Sequence, residues 1–116
     1  MKKNRSREEI IANILSVVMR EPRKTHIMYR ANLSYMLLCK YLAHLTEGKL
    51  IEYRKYEKVY VMTDKGTNYL TNYEEYKRIK NQLEADQSSL DKQATILSEL
   101  VKSRQTLEIK RMDLDP

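Results

Sequence analysis

The spacing of apolar and polar residues changes character three times along the chain. From Arg7 to Glu21 the apolar positions Ile10, Ile11, Ile14, Leu15, Val17 and Val18 recur at helical spacing. Ser6-Arg-Glu-Glu9 opens this stretch as a capping box, in which the Ser6 hydroxyl bonds the Glu9 amide and Glu9 reaches back. Pro22 disfavours helical geometry in the residue before it, which predicts a stop near Glu21. Met1 to Arg5 precede the cap and are expected to form a short, mobile basic arm. A second helix, capped by Thr25, is expected to bury Ile27 and Met28. Asn32 tolerates left-handed geometry and makes the following turn. Ser34 then caps a third helix that places Leu38, Tyr41, Leu42 and Leu45 on one side. Met36, Lys40, Ala43 and Glu47 fall on the other, flanked by Cys39 and His44, and Gly48 is expected as the C′ residue.

Two helices joined by so short a turn form a helix-turn-helix, in which the second helix enters a DNA groove. From Leu50 the period drops to two. Leu50 to Arg54 and Val59 to Met62 read as strands around a turn at Lys55-Tyr56-Glu57-Lys58. A hairpin directly after a helix-turn-helix is a wing, and its tip carries Arg54, Lys55, Tyr56 and Lys58, suited to phosphate contact. Thr63 caps a last helix with Asp64 in its first turn, while Gly66 is unfavourable there. Tyr69, Leu70, Tyr73 and Tyr76 are expected to fold back onto the preceding elements.

Beyond them an apolar position returns every seven residues, at Tyr76, Leu83, Leu90 and Leu97, with Val101 and Leu107 on a second, drifting track. A helix from Thr63 to Met112 would extend roughly 75 Å, and a stripe of that length is most simply covered by a second copy. The fold class expected is mainly α with a small β-hairpin. Residues 1–76 form a winged helix-turn-helix domain and residues 77–116 a coiled-coil dimerisation helix.

Charge sharpens this division. Residues 1–62 hold 13 Lys and Arg against 6 Asp and Glu, a net of +7, whereas residues 63–116 hold 9 against 10, a net of −1. The positive field therefore belongs to the first half. All nine tyrosines fall between Tyr29 and Tyr76, and Phe and Trp are absent, so the bulky core ends near Tyr76. The single cysteine, Cys39, fits a reducing compartment, and no leader or membrane span is expected.

The segments Lys24 to Tyr29, Ala31-Asn32-Leu33-Ser34-Tyr35, Lys40-Tyr41-Leu42, Gly48 to Ile51 and Met62 to Gly66 resemble the archaeal winged-helix DNA-binding proteins. The likeness is to the small chromatin-associated members that dimerise through a C-terminal antiparallel coiled coil, and it covers residues 6–76. It implies a homodimer with a winged helix at each end of a rod, binding double-stranded DNA with little sequence preference. It also implies contacts from Asn32, Ser34, Tyr35 and Lys40. Leu38 and Cys39 are bulkier and less polar than this pattern expects, and Arg30, in place of a small residue, adds a phosphate contact.

The bland assignments stand beside these. Ser34 and Asn32 serve the cap and the turn first, and Tyr29 and Tyr41 are expected in the core rather than on DNA. Cys39, His26 and His44 have no metal-ligand spacing and form no nucleophile–base set. With only Gly48 and Gly66 there is no glycine-rich phosphate loop, so no cofactor and no enzyme are expected. The expectation is a cytoplasmic, nucleoid-associated protein of chromatin organisation or transcription regulation. The alternative is a winged-helix protein-interaction module that does not bind DNA, favoured by the apolar Met36, Cys39 and Ala43.

Overall fold

In a computed structural model, residues 4–20 and 22–102 are described, and they form α1 (Arg7–Val18), α2 (Lys24–Arg30), α3 (Tyr35–Glu47), β1 (Ile51–Arg54), β2 (Val59–Met62) and α4 (Asp64–Leu100). The molecule is mainly α with a two-stranded antiparallel hairpin, as expected. Its contacts divide it into two units that meet at Tyr76 and Lys77.

In the first unit, Ile14, Leu15 and Val18 of α1, Ile27 of α2 and its C-cap Ala31, and Leu38, Leu42 and Leu45 of α3 make one core with Ile51 of β1. These are the stripes that helical spacing predicts. Removing such side chains from water is the main favourable term holding three short helices together. Tyr41, Met28 and Leu33 pack at its margin, as do Tyr69 and Leu70 of α4.

Local chemistry sets where each helix begins and ends. The Ser6 hydroxyl accepts from Glu9 N at 3.1 Å and caps α1. That helix stops at Val18, short of the expected Glu21, because the chain there turns toward the hairpin. Pro22 O accepts from Tyr60 N of β2 at 2.9 Å, which ties the α1–α2 connection to the strand. The second helix starts at Lys24, with Arg23 as N-cap and no side-chain cap bond, so Thr25 does not have the capping role expected of it. At its end Asn32 takes φ 55°. Asn32 N donates to Tyr29 O at 3.2 Å and Leu33 N to Met28 O at 3.1 Å, the paired bonds of a Schellman motif. The tight turn is therefore this motif, with Asn32 at its left-handed position.

A second copy of the motif ends α3. Lys49 N donates to Thr46 O and Leu50 N to Leu45 O, at 3.1 and 2.9 Å. The left-handed residue is Lys49, φ 65°, whereas Gly48 is an ordinary right-handed C-cap, φ −75°. Gly48 is not the left-handed C′ residue that its type predicts. A Cβ on it would stand 3.2 Å from Leu50 Cδ1 and 3.3 Å from His44 O, so a side chain there would need Leu50 to give a little.

The hairpin pairs Ile51 with Met62, Glu52 with Val61, Tyr53 with Tyr60 and Arg54 with Val59. Thr63 then caps α4, its hydroxyl accepting from Gly66 N at 3.1 Å while lying 2.7 and 2.9 Å from the carbonyls of Lys49 and Leu50. Gly66 is buried against the same place: a Cβ there would collide with Leu50 O and lie 2.8 Å from Met62 Sδ. Tyr69 Oη donates to Glu8 O at 3.0 Å, and the rings of Tyr69, Tyr73 and Tyr76 follow one another along the helix.

The second unit is the remainder of α4. It is helical without interruption through Ser88 and Ser89 to Leu100. Leu83, Leu90 and Leu97 are 68%, 63% and 61% exposed. Gln82 and Gln87 bond Asp86 and Asp91 along the helix surface, both at 3.0 Å. Leu107 and the stretch to Met112, like Met1 to Lys3, lie outside the described residues.

Candidate nucleic-acid interface

The third helix turns its apolar side into the core and leaves Tyr35, Met36, Lys40, Ala43, His44 and Glu47 at the surface. Met36 is 83% exposed. The Ser34 hydroxyl accepts from Leu37 N at 3.2 Å, so this side chain is committed to its cap. Asn32 is exposed at the turn.

Lys24, the first residue of α2, joins this face to the hairpin. Its ammonium bonds Tyr35 Oη at 3.2 Å and stands 4.7 Å from the centre of the same ring. The bond to the Tyr35 hydroxyl is the first cause raising the lysine above its ordinary pKa, against an opposing effect of burial, so the cation is held charged. One shallow groove runs from Ala43 and Glu47 past Cys39 to Lys24, Tyr53 and Tyr60. A second continues from Arg23, Lys24 and Thr25 to Tyr53, Glu57, Lys58 and Tyr60. The two share Lys24, Tyr53 and Tyr60, so they form one surface from α3 to the hairpin. Tyr53 and Tyr60 face each other across the strands with ring centres 4.8 Å apart.

At the hairpin tip Lys55, Tyr56, Glu57 and Lys58 make the turn. Tyr56 is 96% exposed, and Lys58 takes φ 56°. Arg54 Nη1 lies 3.8 Å from Glu57 Oε2, an exposed pair that salt and solvent screen. The expected residues thus divide. Tyr35, Lys40 and the tip residues belong to α3 and the hairpin, which the grooves connect. Arg30 instead lines a separate groove with Ser16, Val17, Met19 and Arg20 of α1 and its exit.

Two expectations fail on this surface. Tyr29 is 72% exposed rather than in the core, because Ile27 takes the inward position of a helix only seven residues long and the C-cap Ala31 the next one. Arg5 is not a free arm residue: its guanidinium donates to Ala31 O and Asn32 O, both at 2.7 Å. It caps the carbonyl end of α2, where a cation is favoured by the helix dipole. Sequence reasoning also passed over Arg23, Lys24 and Tyr53 as surface residues of the site. Strand alternation puts Tyr53 on the face of the buried Ile51, which points to the core rather than to this surface, and the Lys24–Tyr35 contact has no sequence signal.

Among the described residues no group of three or more His, Cys, Asp or Glu is placed to hold a metal ion, and no helix is long and apolar enough to cross a membrane.

Three helices, a connecting Schellman turn and a hairpin in this order define a winged helix, and the chain belongs to the winged helix-turn-helix family, whose family model matches residues 4–81. No curated protein matches it in sequence. Among solved structures it is similar to the crystal structure of Sso10a-2, a DNA-binding protein from Sulfolobus solfataricus, with a TM-score of 0.64 and 28% identity over 85% of this chain and 99% of that one.

Proposed function

We propose that the chain binds duplex DNA as a homodimer, with the outer face of α3 in the major groove and the hairpin tip on the neighbouring backbone. The observation that carries this is the continuous surface from Ala43 through Lys24 to Lys58, on the basic half of the chain. The similarity to Sso10a-2, described as a DNA-binding protein, supports it. Tyr35, Lys40, Arg54, Lys55, Tyr56 and Lys58 supply the contacts, with the turn at Asn32 and Ser34 beside them and Arg30 apart, on the groove toward α1. Met36 and Ala43 offer no hydrogen bonds to base edges, so phosphate contacts dominate and sequence preference is low. Such binding suits chromatin organisation or broad transcription regulation at the nucleoid of an archaeal cell.

Residues 1–76 are the DNA-binding domain and residues 77–116 the dimerisation segment. Tyr76, Leu83, Leu90 and Leu97 form a seven-residue track on α4, and its exposed leucines would not stay in water without cost. Val101 extends the seam. Along the sequence the cations Lys77, Arg78 and Lys80 come first and the acids Asp113 and Asp115 later, a charge asymmetry that favours antiparallel over parallel pairing.

Binding to random and self-promoter duplexes at several salt concentrations tests this function. Affinities within tenfold of each other, falling steeply with salt, are expected; a preference of a thousandfold or more would make the protein a site-specific regulator. The exposed Met36 favours one rival, a module that docks a protein through α3. That rival predicts no duplex binding at physiological salt. For the dimer, Leu83→Glu with Leu90→Glu in the full chain should sediment as a monomer; an unchanged dimer would refute the coil.

A further inference from the structure

We infer that Lys24 is a positioning residue for Tyr35, the first residue of α3: it fixes the tyrosine hydroxyl as a hydrogen-bond donor to the duplex and does not touch the duplex itself. This rests on the duplex-binding function and names how one contact within it is made. The ammonium lies 3.2 Å from Tyr35 Oη and 4.7 Å from the ring centre, so one cation holds both the hydroxyl and the ring. Cys39, four residues on and so beside Tyr35 on the helix surface, borders the same ammonium. Lys24 is half-buried, whereas Tyr35 is 62% exposed. The tyrosine is therefore the outer member of the pair.

The chemistry gives this pair a direction. An ammonium carries three donors and no acceptor, so the Tyr35 oxygen is the acceptor in the bond to Lys24. The single phenolic proton is then left for an outside partner. A hydroxyl that already accepts from a cation is polarised toward donating, which strengthens the second bond. The backbone of duplex DNA meets it with phosphate oxygens, which accept and do not donate, so the polarity of the hydroxyl matches the polarity of the target. The hold on the ring acts in the same sense. An exposed tyrosine already confined before the duplex arrives loses less side-chain freedom when it binds.

The test is a double-mutant cycle on a random duplex at about 0.1 M salt, with Lys24→Met, Tyr35→Phe and both together in the full chain. Each single variant should bind about fivefold more weakly, the loss of one hydrogen bond. The double variant should also lose about fivefold rather than about twenty-fivefold, because removing either member removes the same contact. All three should keep the wild-type slope of log affinity against log salt. Lys24→Arg, which keeps a donor and a cation that stacks on the ring, should keep the affinity. A Lys24→Met slope reduced by about 0.9 would make the lysine itself a phosphate contact and overturn the positioning role. Losses that multiply in the double variant overturn it too. So does a Lys24→Met chain without a cooperative thermal melt, since the lysine would then serve the fold rather than the contact. Failure of the wild-type chain to bind any duplex is a different result, and it removes the duplex-binding function itself.

Discussion

Gly66→Ala sets two opposed effects against each other at one position. In an exposed helix, replacing glycine by alanine gains up to about 1 kcal/mol, and somewhat less in a first turn such as this. Against that, the added methyl would meet Leu50 O, a backbone atom, as well as Met62 Sδ at 2.8 Å and Met62 Cγ at 3.1 Å. The methionine can swing aside, but the carbonyl cannot. It accepts from Thr63 N at 3.1 Å and lies 2.9 Å from the Thr63 hydroxyl, the group that caps α4. Relieving the collision thus means separating the start of α4 from the end of α3. Overpacking of this kind costs about 1–3 kcal/mol, and each weakened bond adds about 0.5–1.5 kcal/mol. The net expectation is a loss of about 1–3 kcal/mol, read from urea unfolding followed by tyrosine fluorescence. Thr67→Ala, one residue on and exposed, should instead gain a few tenths of a kcal/mol. A Gly66→Ala protein as stable as wild type would refute the close-approach argument.

Ser34→Ala should cost about 1 kcal/mol of stability through loss of the α3 cap. Ser34→Asp should keep the cap and the stability yet weaken duplex binding by placing an anion at the recognition helix; unchanged affinity would remove this helix start from the interface. Arg5→Ala should cost about 1–2 kcal/mol, at the low end because one of its two bonds is exposed, and should speed hydrogen exchange of the Asn32 and Leu33 amides. Burial raises the pKa of Tyr60, Tyr69 and Tyr73 in the folded chain. A raised folded-state value stabilises below the unfolded value near 10 and is lost as pH rises through the folded one. Thermal midpoints should therefore fall above about pH 10, and less so in Tyr69→Phe.

What could be read in advance was what depends on neighbours in the chain. Ser6, Ser34 and Thr63 cap their helices because each hydroxyl needs only an amide three residues on. Asn32 makes its turn because left-handed geometry is a property of one residue. The core stripes of α1 and α3 follow from helical period alone. The failures share the opposite origin. Gly66 looks like a poor helix residue until Leu50 O is brought beside it, and Arg5 looks like a loose arm until the end of α2 arrives 26 positions later. Tyr29 was misplaced because a seven-residue helix has only two or three inward positions, and smaller residues filled them. Lys49 took the position that residue type assigned to Gly48. In the interface, the basic tip and the outer face of α3 were legible, whereas the joining role of Lys24 depends on a tyrosine eleven residues away.

The confinement of every tyrosine to the stretch from Tyr29 to Tyr76 has a practical result. With no tryptophan, ultraviolet emission comes from the winged helix alone, and the part of α4 beyond Tyr76 is optically silent. Far-ultraviolet circular dichroism, by contrast, counts that long helix heavily. One unmodified sample therefore carries two separate reporters, one for each unit. If the two melting curves coincide, the chain unfolds as a single cooperative body; if they part, the interval between them gives the independent stability of the helix.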